Sequence, residues 1–379
     1  MSLTSPDTPA TDQAQYIMIG GFLGAGKTTS IQKFAEWLDG QGLKVGLITN
    51  DQGQGLVDSA LGRSKKFPVE EISGGCFCCR FNSLIDAATH LTEDTRPDVF
   101  LAEPVGSCTD LVATVSLPLQ KIYGQAYRVA PLSVLVDPIR ALRVLELEEG
   151  KKFSENVRYI YLKQLEEAEV IVINKIDLLD ETRLELLRDG LAEKFPDAKI
   201  LEMSAREEKD LLPWFEAVTE AEMNVSRFLE IDYQRYGDGE ALLGWLNTTV
   251  EIEGDDEFDG NQLLKDLAAE MRVSLEEHGS EVAHLKMTLT PIGDPFEIAG
   301  VNMVRDDHDP ELSHHLSEPI DDGELLVNMR VEAAPEVLET ACKAALEKVI
   351  AQDKGLGYKI THTEHFRPGQ PVPTHRLTE

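Results

Sequence analysis

The residues Gly21-x4-Gly26-Lys27-Thr28, inside GGFLGAGKTT at Gly20–Thr29, are the types a nucleoside triphosphate requires. Glycines let backbone N–H groups turn inward around phosphate oxygens, and the helix expected to start here adds its positive end. Lys27 would neutralise the β and γ oxygens, and Thr28 would hold Mg²⁺ through its hydroxyl. An apolar strand ahead and a helical stretch behind separate this pattern from a chance glycine-rich turn.

Base identity is written in VIVINKIDLLD, where Asn174, Lys175 and Asp177 follow a buried strand. A carboxylate at Asp177 accepts two hydrogen bonds from guanine N1–H and N2–H₂, whereas adenine presents an acceptor at N1. Asn174 would bridge the base and the phosphate loop, the Lys175 stem would cover the ring, and Ser204-Ala205 would supply a backbone N–H to guanine O6. For hydrolysis, DVFLAEPVG ends a strand on Glu103, a residue that would anchor Mg²⁺ or orient water. Gly106 would let a backbone N–H meet the γ-phosphate, and Asn50 and Asp51, at another strand end, are further candidates beside the magnesium.

A second chemistry sits in EISGGCFCCR, which places Cys76, Cys78 and Cys79 directly after Gly74-Gly75. In an extended segment Cys76 and Cys78 project to one side, and a turn at the glycines would bring in Cys79. Three thiolates suit Zn²⁺, and accept Co²⁺, nickel or Cu(I). Their incomplete shell is what a transfer site needs. A closed structural site with a distant ligand and a redox dithiol are the competing readings. Cys108 reads as a small buried hydrophobe before it reads as a ligand.

These residues need strands to position them. Apolar runs at Tyr16–Gly20, Lys44–Asn50, Asp98–Glu103, Leu132–Asp137, Val170–Asn174 and Lys199–Ser204 alternate with helical stretches, among them Ile31–Gly42. That alternation predicts an α/β fold: a P-loop NTPase domain with a mostly parallel sheet over residues 15–222, after a disordered arm at 1–14. Residues 223–240 read as a linker. Residues 241–379 read as a smaller α+β domain close to the β-α-β-β-α-β ferredoxin-like order, with a client-binding or regulatory role. Within it the acidic run Glu251–Asp259 reads as a solvated strand end and turn, and the loop holding His308, His314 and His315 as solvated. His362-x-x-His365 lies in an extended run.

The formal net charge of −32 disfavours nucleic acid and anionic membrane as partners. No apolar stretch approaches the roughly 20 residues of a membrane helix, and no leader pattern opens the chain, so a cytoplasmic location is expected. Three of the five cysteines crowd into one window, which fits a reducing compartment.

Taken in order, GGFLGAGKTT, Asn50-Asp51, GGCFCC, EPVG and NKID resemble the CobW-like GTPases, in the group that also contains the hydrogenase and urease nickel-insertion GTPases. The resemblance covers the first 220 residues. It implies a metallochaperone in which GTP organises the thiolate site and hydrolysis to GDP releases Zn²⁺ or Co²⁺ to a client metalloprotein or a cofactor-synthesis enzyme, with a nucleotide- or metal-dependent homodimer among the expected partners. Position by position, it implies phosphate binding at Gly24, Ala25, Gly26, Lys27, Thr28 and Thr29, and metal at Cys76, Cys78 and Cys79. Hydrolysis falls to Glu103, and base recognition to Asn174, Lys175 and Asp177. The chain departs from the usual pattern at Asp51 and Pro104. Ser107 stands where Ras-like GTPases carry glutamine, so slow turnover is expected. A regulatory GTPase with a structural zinc is the alternative, and a P-loop kinase or ATPase is disfavoured by Asp177.

Overall fold

A computed structural model describes residues 13–51, 67–224, 228–294, 296–350 and 355–378, with only the backbone described at Asp51. The arm expected at 1–14 lies outside the described residues up to position 12, and Ala14 already belongs to a strand. The first eight strands are β1 (Ala14–Gly21), β2 (Val45–Asp51), β3 (Val69–Ser73), β4 (Val99–Glu103), β5 (Tyr127–Val129), β6 (Ser133–Val136), β7 (Val170–Ile173) and β8 (Lys199–Glu202). Their pairings are all parallel, in the order β3-β2-β4-β1-β6-β7-β8 with β5 beside the start of β1. Connecting helices are α1 (Lys27–Gly40), α2 (Phe81–Asp94), α3 (Leu117–Tyr123), α4 (Pro138–Val144), α5 (Glu155–Glu167), α6 (Glu181–Lys194) and α7 (Leu212–Thr219).

The alternation of side chains explains why both faces are covered. Tyr16 and Met18 of β1, with Phe100 and Ala102 of β4, join a core shared with α2 and α5; Ile17, Ile19, Val99 and Leu101 join the opposite core with α1 and α7. In that second core Phe34 and Phe215 stack with centroids 4.5 Å apart. Each such buried side chain contributes about 1.5–3 kcal/mol. The six apolar runs read from sequence are all strands. β3 and β5 were not legible: β3 is a short, largely exposed edge strand interrupted by Glu70 and Glu71, and β5 has three residues.

Parallel pairing has one consequence for chemistry. The C-terminal ends of β1, β2, β4, β6, β7 and β8 share one edge of the sheet, so Gly21, Asn50, Glu103, Asp137, Asn174 and Ser204, at or just past those ends, arrive together.

Within 223–240 the chain forms α8 (Tyr233–Leu242), which packs on α5, so the expected linker includes a helix. Residues 225–227 lie outside the described residues. Beyond it come β9 (Leu243–Phe258), α9 (Gly260–Glu277), β10 (Glu281–Pro291), β11 (Ala299–Met303), β12 (Glu311–His314), β13 (Ile320–Glu332), α10 (Pro335–Ile350) and β14 (Leu356–Phe366). The sheet is antiparallel in the order β12-β11-β10-β13-β9-β14. Four adjacent strands, β14-β9-β13-β10, with α9 and α10, form the ferredoxin-like arrangement, and β11-β12 extend the sheet beyond β10. The acidic run departs from the sequence reading. Residues 251–258 continue β9, with Ile252 buried and the acidic side chains at 253 and 255–257 exposed, because β13 and β14 pair with residues 251–253 on both sides. Likewise, the histidine loop contains a short strand, β12.

Candidate functional site

At the phosphate loop the Lys27 ammonium donates to Gly21 O at 2.9 Å and lies 4.0 Å from Glu103. The Thr28 hydroxyl donates to Glu103 Oε1 at 3.1 Å, so the two residues expected to hold magnesium meet. They offer the hard oxygen ligands that Mg²⁺ takes. Thr29 is exposed at the first turn of α1. Gly106 is pressed against this loop: a Cβ there would stand 2.9 Å from Leu23 N, so a side chain would push the Glu103–Gly106 segment off the phosphate loop. Gln164 holds that segment from α5 through Gly106 O and Cys108 O.

The residues expected to recognise the base form one network. Asn174 donates to Ala25 O at 2.9 Å and accepts from the N–H groups of Lys175 and Ala205. Lys175, at φ 57, donates to Gly24 O at 2.7 Å and pairs with Asp137 at 2.9 Å. Ser204 donates to Asp177 Oδ1 at 2.5 Å, which orients an exposed carboxylate. Gly24, Ala25, Gly26, Asn174, Lys175, Asp177, Ser204 and Ala205 thus come together, from three separated segments.

Sequence reasoning missed Asp137. Burial by itself would raise its carboxyl, yet the Lys175 ammonium and the Arg305 guanidinium, each about one hydrogen bond away, hold it well below the usual carboxylate range. Its signal was present in LSVLVD, a carboxylate at a strand end like Glu103. Arg305 carried no signal, because it belongs to the second domain. There, Val304 lies 2.9 Å from where a Cβ on Gly24 would stand, and Arg140 donates to Val282 O and Val304 O. The antiparallel domain therefore packs directly on the phosphate loop.

The thiols cluster too. Cys76 Sγ lies 2.9 Å from Cys78 Sγ and 3.1 Å from Cys79 Sγ, with 3.7 Å between the last two. Gly74 (φ 76) and Gly75 (φ 153) make the turn, and Cys76 O accepts the N–H groups of Cys79 and Arg80 as α2 begins. Among the described residues these three are the one such group of metal-ligating side chains. Cys108 is buried beside Cys76. Hydrogen bonds from Cys108, then Cys78 and Cys79, hold the Cys76 thiol well below its ordinary value, while those from Cys76, with burial, push Cys78 and Cys108 up and Cys79 to about 11. Three sulfurs gathered within 4.8 Å of one another offer a soft donor set for a cation.

Asn50 goes elsewhere than expected. Its amide donates to Ile72 O and Gly75 O at 2.9 and 2.7 Å, tying β2 to the cysteine turn instead of facing magnesium. It is the strand-end residue best placed to brace that turn. The Asp51 side chain lies outside the described residues, and its backbone pairs with Ser73. His308 is tied to Glu311 at 3.0 Å on the surface. Among the described residues, no helix is long and apolar enough to cross a membrane.

Known proteins are similar to part of this chain in sequence. A zinc chaperone CobW from Sinorhizobium is 28% identical over 198 residues, covering 47% of this chain and 55% of its own. A zinc chaperone YeiR from Escherichia coli is 31% identical over 163 residues, covering 42% and 46%. The chain spans about half the length of the curated relatives it matches. Among solved structures, HypB from Helicobacter pylori in complex with nickel is 21% identical, covers 54% of this chain and 85% of its own, and has a TM-score of 0.39. The family model that matches is the nucleotide-binding domain of CobW/HypB/UreG, over residues 15–202. That span holds the phosphate loop, the cysteine turn, Glu103 and the Asn174–Asp177 turn, and within it the chain carries a CobW/HypB/UreG nucleotide-binding domain.

Proposed function

We propose that this protein is a GTP-dependent metallochaperone: it takes Zn²⁺, or Co²⁺, on Cys76, Cys78 and Cys79 and uses GTP hydrolysis to hand the ion to a client protein or cofactor pathway, cobalamin synthesis among them. Zinc has first place because relatives of this domain are named zinc chaperones. Asp177 selects guanine, Asn174 and Lys175 hold the base site to the phosphate loop, and Lys27 meets the β and γ oxygens. Mg²⁺ on Thr28 and Glu103 would neutralise developing phosphate charge. Glu103 orients the attacking water, and Asp51 is the second candidate for that role. Ser107 offers no carboxamide for that task, so turnover is slow without a client.

One observation carries the reading. The cysteine turn is tied to one segment expected to feel the γ-phosphate by the Asn50 amide, which donates to Gly75 O, and Cys108 of the other segment lies beside Cys76. A change at either segment must alter metal affinity, and metal must alter nucleotide affinity by the same factor. Zinc should bind at least about tenfold more tightly with a non-hydrolysable GTP analogue than with GDP. Competition against a chromophoric chelator measures this, and equal affinity in the two states sinks it.

Cys108 favours a second reading, a regulatory or assembly GTPase with a closed structural zinc, because it brings a fourth sulfur to the cluster. Stripping the metal separates them. The chaperone stays folded and keeps binding nucleotide, whereas a structural site unfolds.

A further inference from the structure

The segment after β14 crosses to the first domain and lies along the cysteine turn. Val372 N–H donates to Cys79 Sγ at 3.3 Å, Thr374 N–H to Cys78 O at 2.8 Å, the Thr374 hydroxyl to Cys79 O at 3.1 Å and Leu377 N–H to Ala113 O at 2.9 Å. Pro371 and Pro373 carry no N–H, so every backbone donor between 371 and 374 is spent on the cysteines. The prolines also hold the segment extended, which lowers the entropy lost on docking. Further on, the His375 ring stands edge-on to Phe81 at 4.9 Å. Arg376 pairs with Asp110 at 2.7 Å and donates to Leu229 O.

Asp110 is a prepared anchor. It is buried, holds a left-handed φ of 63 without being glycine, and accepts the Tyr233 hydroxyl at 2.6 Å. The outer side of the segment faces solvent, with Val372 75% exposed. Cys79, the least buried of the three cysteines, is the one it covers.

We propose that the cysteine turn and Asp110 form a docking surface for an extended, proline-bearing segment with an arginine, filled at rest by the chain's own residues 372–377, which cap the thiols. This rests on the reading of Cys76, Cys78 and Cys79 as the metal site. Loading or transfer then requires the strap to lift, and a client gains the thiols by displacing it. Asp110 ends the segment that begins at Glu103, so the nucleotide site and the strap's anchor share one stretch of chain.

The test compares the full chain with a chain ending at Phe366, and with Arg376→Ala and Arg376→Lys. Two rates are read: reaction of the thiols with a chromogenic disulfide, which needs no metal, and transfer of bound zinc to a chelator. Truncation should raise both by about tenfold or more, R376A by less, with R376K restoring most of the protection. A synthetic peptide of residues 367–378 should return the truncated chain to the slow rate. Rates within about twofold of the full chain, in protein that still binds fluorescent GDP, overturn the proposal. If truncation abolishes GDP binding, R376A decides by the same criterion. If zinc does not bind through the cysteines, the chelator arm reports failure of the metal reading, while the thiol reaction still decides the strap.

Discussion

At Asp177 the proposed choice of guanine over adenine comes down to one carboxylate, held by Ser204 at 2.5 Å. Asp177→Ala removes two charge-assisted hydrogen bonds of about 1.5–3 kcal/mol each, so GTP affinity should fall by at least about 100-fold while ATP affinity barely changes. Displacement of a fluorescent nucleotide measures both, and an equal loss for the two would remove Asp177 from base recognition. Asn174, Lys175 and Asp177 were legible as chemistry because their types and spacing are so restrictive. Asp137 was not, since its role depends on Arg305, which stands 168 residues away in sequence. A lone carboxylate at a strand end reads as a helix cap, and Asp137 does cap α4 through Arg140 N–H.

Among the elements, the connection from β4 into α3 does most to join the two sites. Its course is pinned by Glu167 of α5, whose carboxylate accepts from the Thr109 hydroxyl at 3.0 Å and Val112 N–H at 3.1 Å. Burial pushes this carboxyl up to about 8. The folded state therefore keeps a proton that the unfolded chain loses near its ordinary value of 4.5, so this group's contribution to stability declines as pH rises from about 4.5 through 8. Glu167→Gln should flatten the decline: its melting temperature should gain on the parent's with each step from pH 6 to 8, by roughly 2–4 °C per kcal/mol. Parallel melting curves of the same slope would show that the carboxyl is ionised throughout. The sequence placed strand β4 and left this connection open, because its path is set by partners on α5 and α8.

For the whole molecule, the antiparallel domain matters by where it docks. Arg305 and Asp137 form a buried ion pair at 3.0 Å, beside the Val304–Gly24 approach. Breaking one side of such a pair costs about 3–5 kcal/mol. Arg305→Ala should lower stability by about that much and also weaken GDP binding, although Arg305 lies outside the nucleotide-binding domain. Denaturant melts and nucleotide titration measure the two effects; full nucleotide affinity in the variant would make the interface a passive one.

What the sequence determined by itself was chemistry of short range. The phosphate loop, the NKID turn and the cysteine turn each bring their residues within a few positions of one another, and the period of apolar residues told strand from helix. The tertiary structure decided how those pieces meet. Parallel pairing gathered the strand ends on one edge, the second domain reached Gly24 and Asp137, and the last residues of the chain closed over the cysteines. Such contacts depend on complementary surfaces formed only after folding, so no local pattern of residue types announces them.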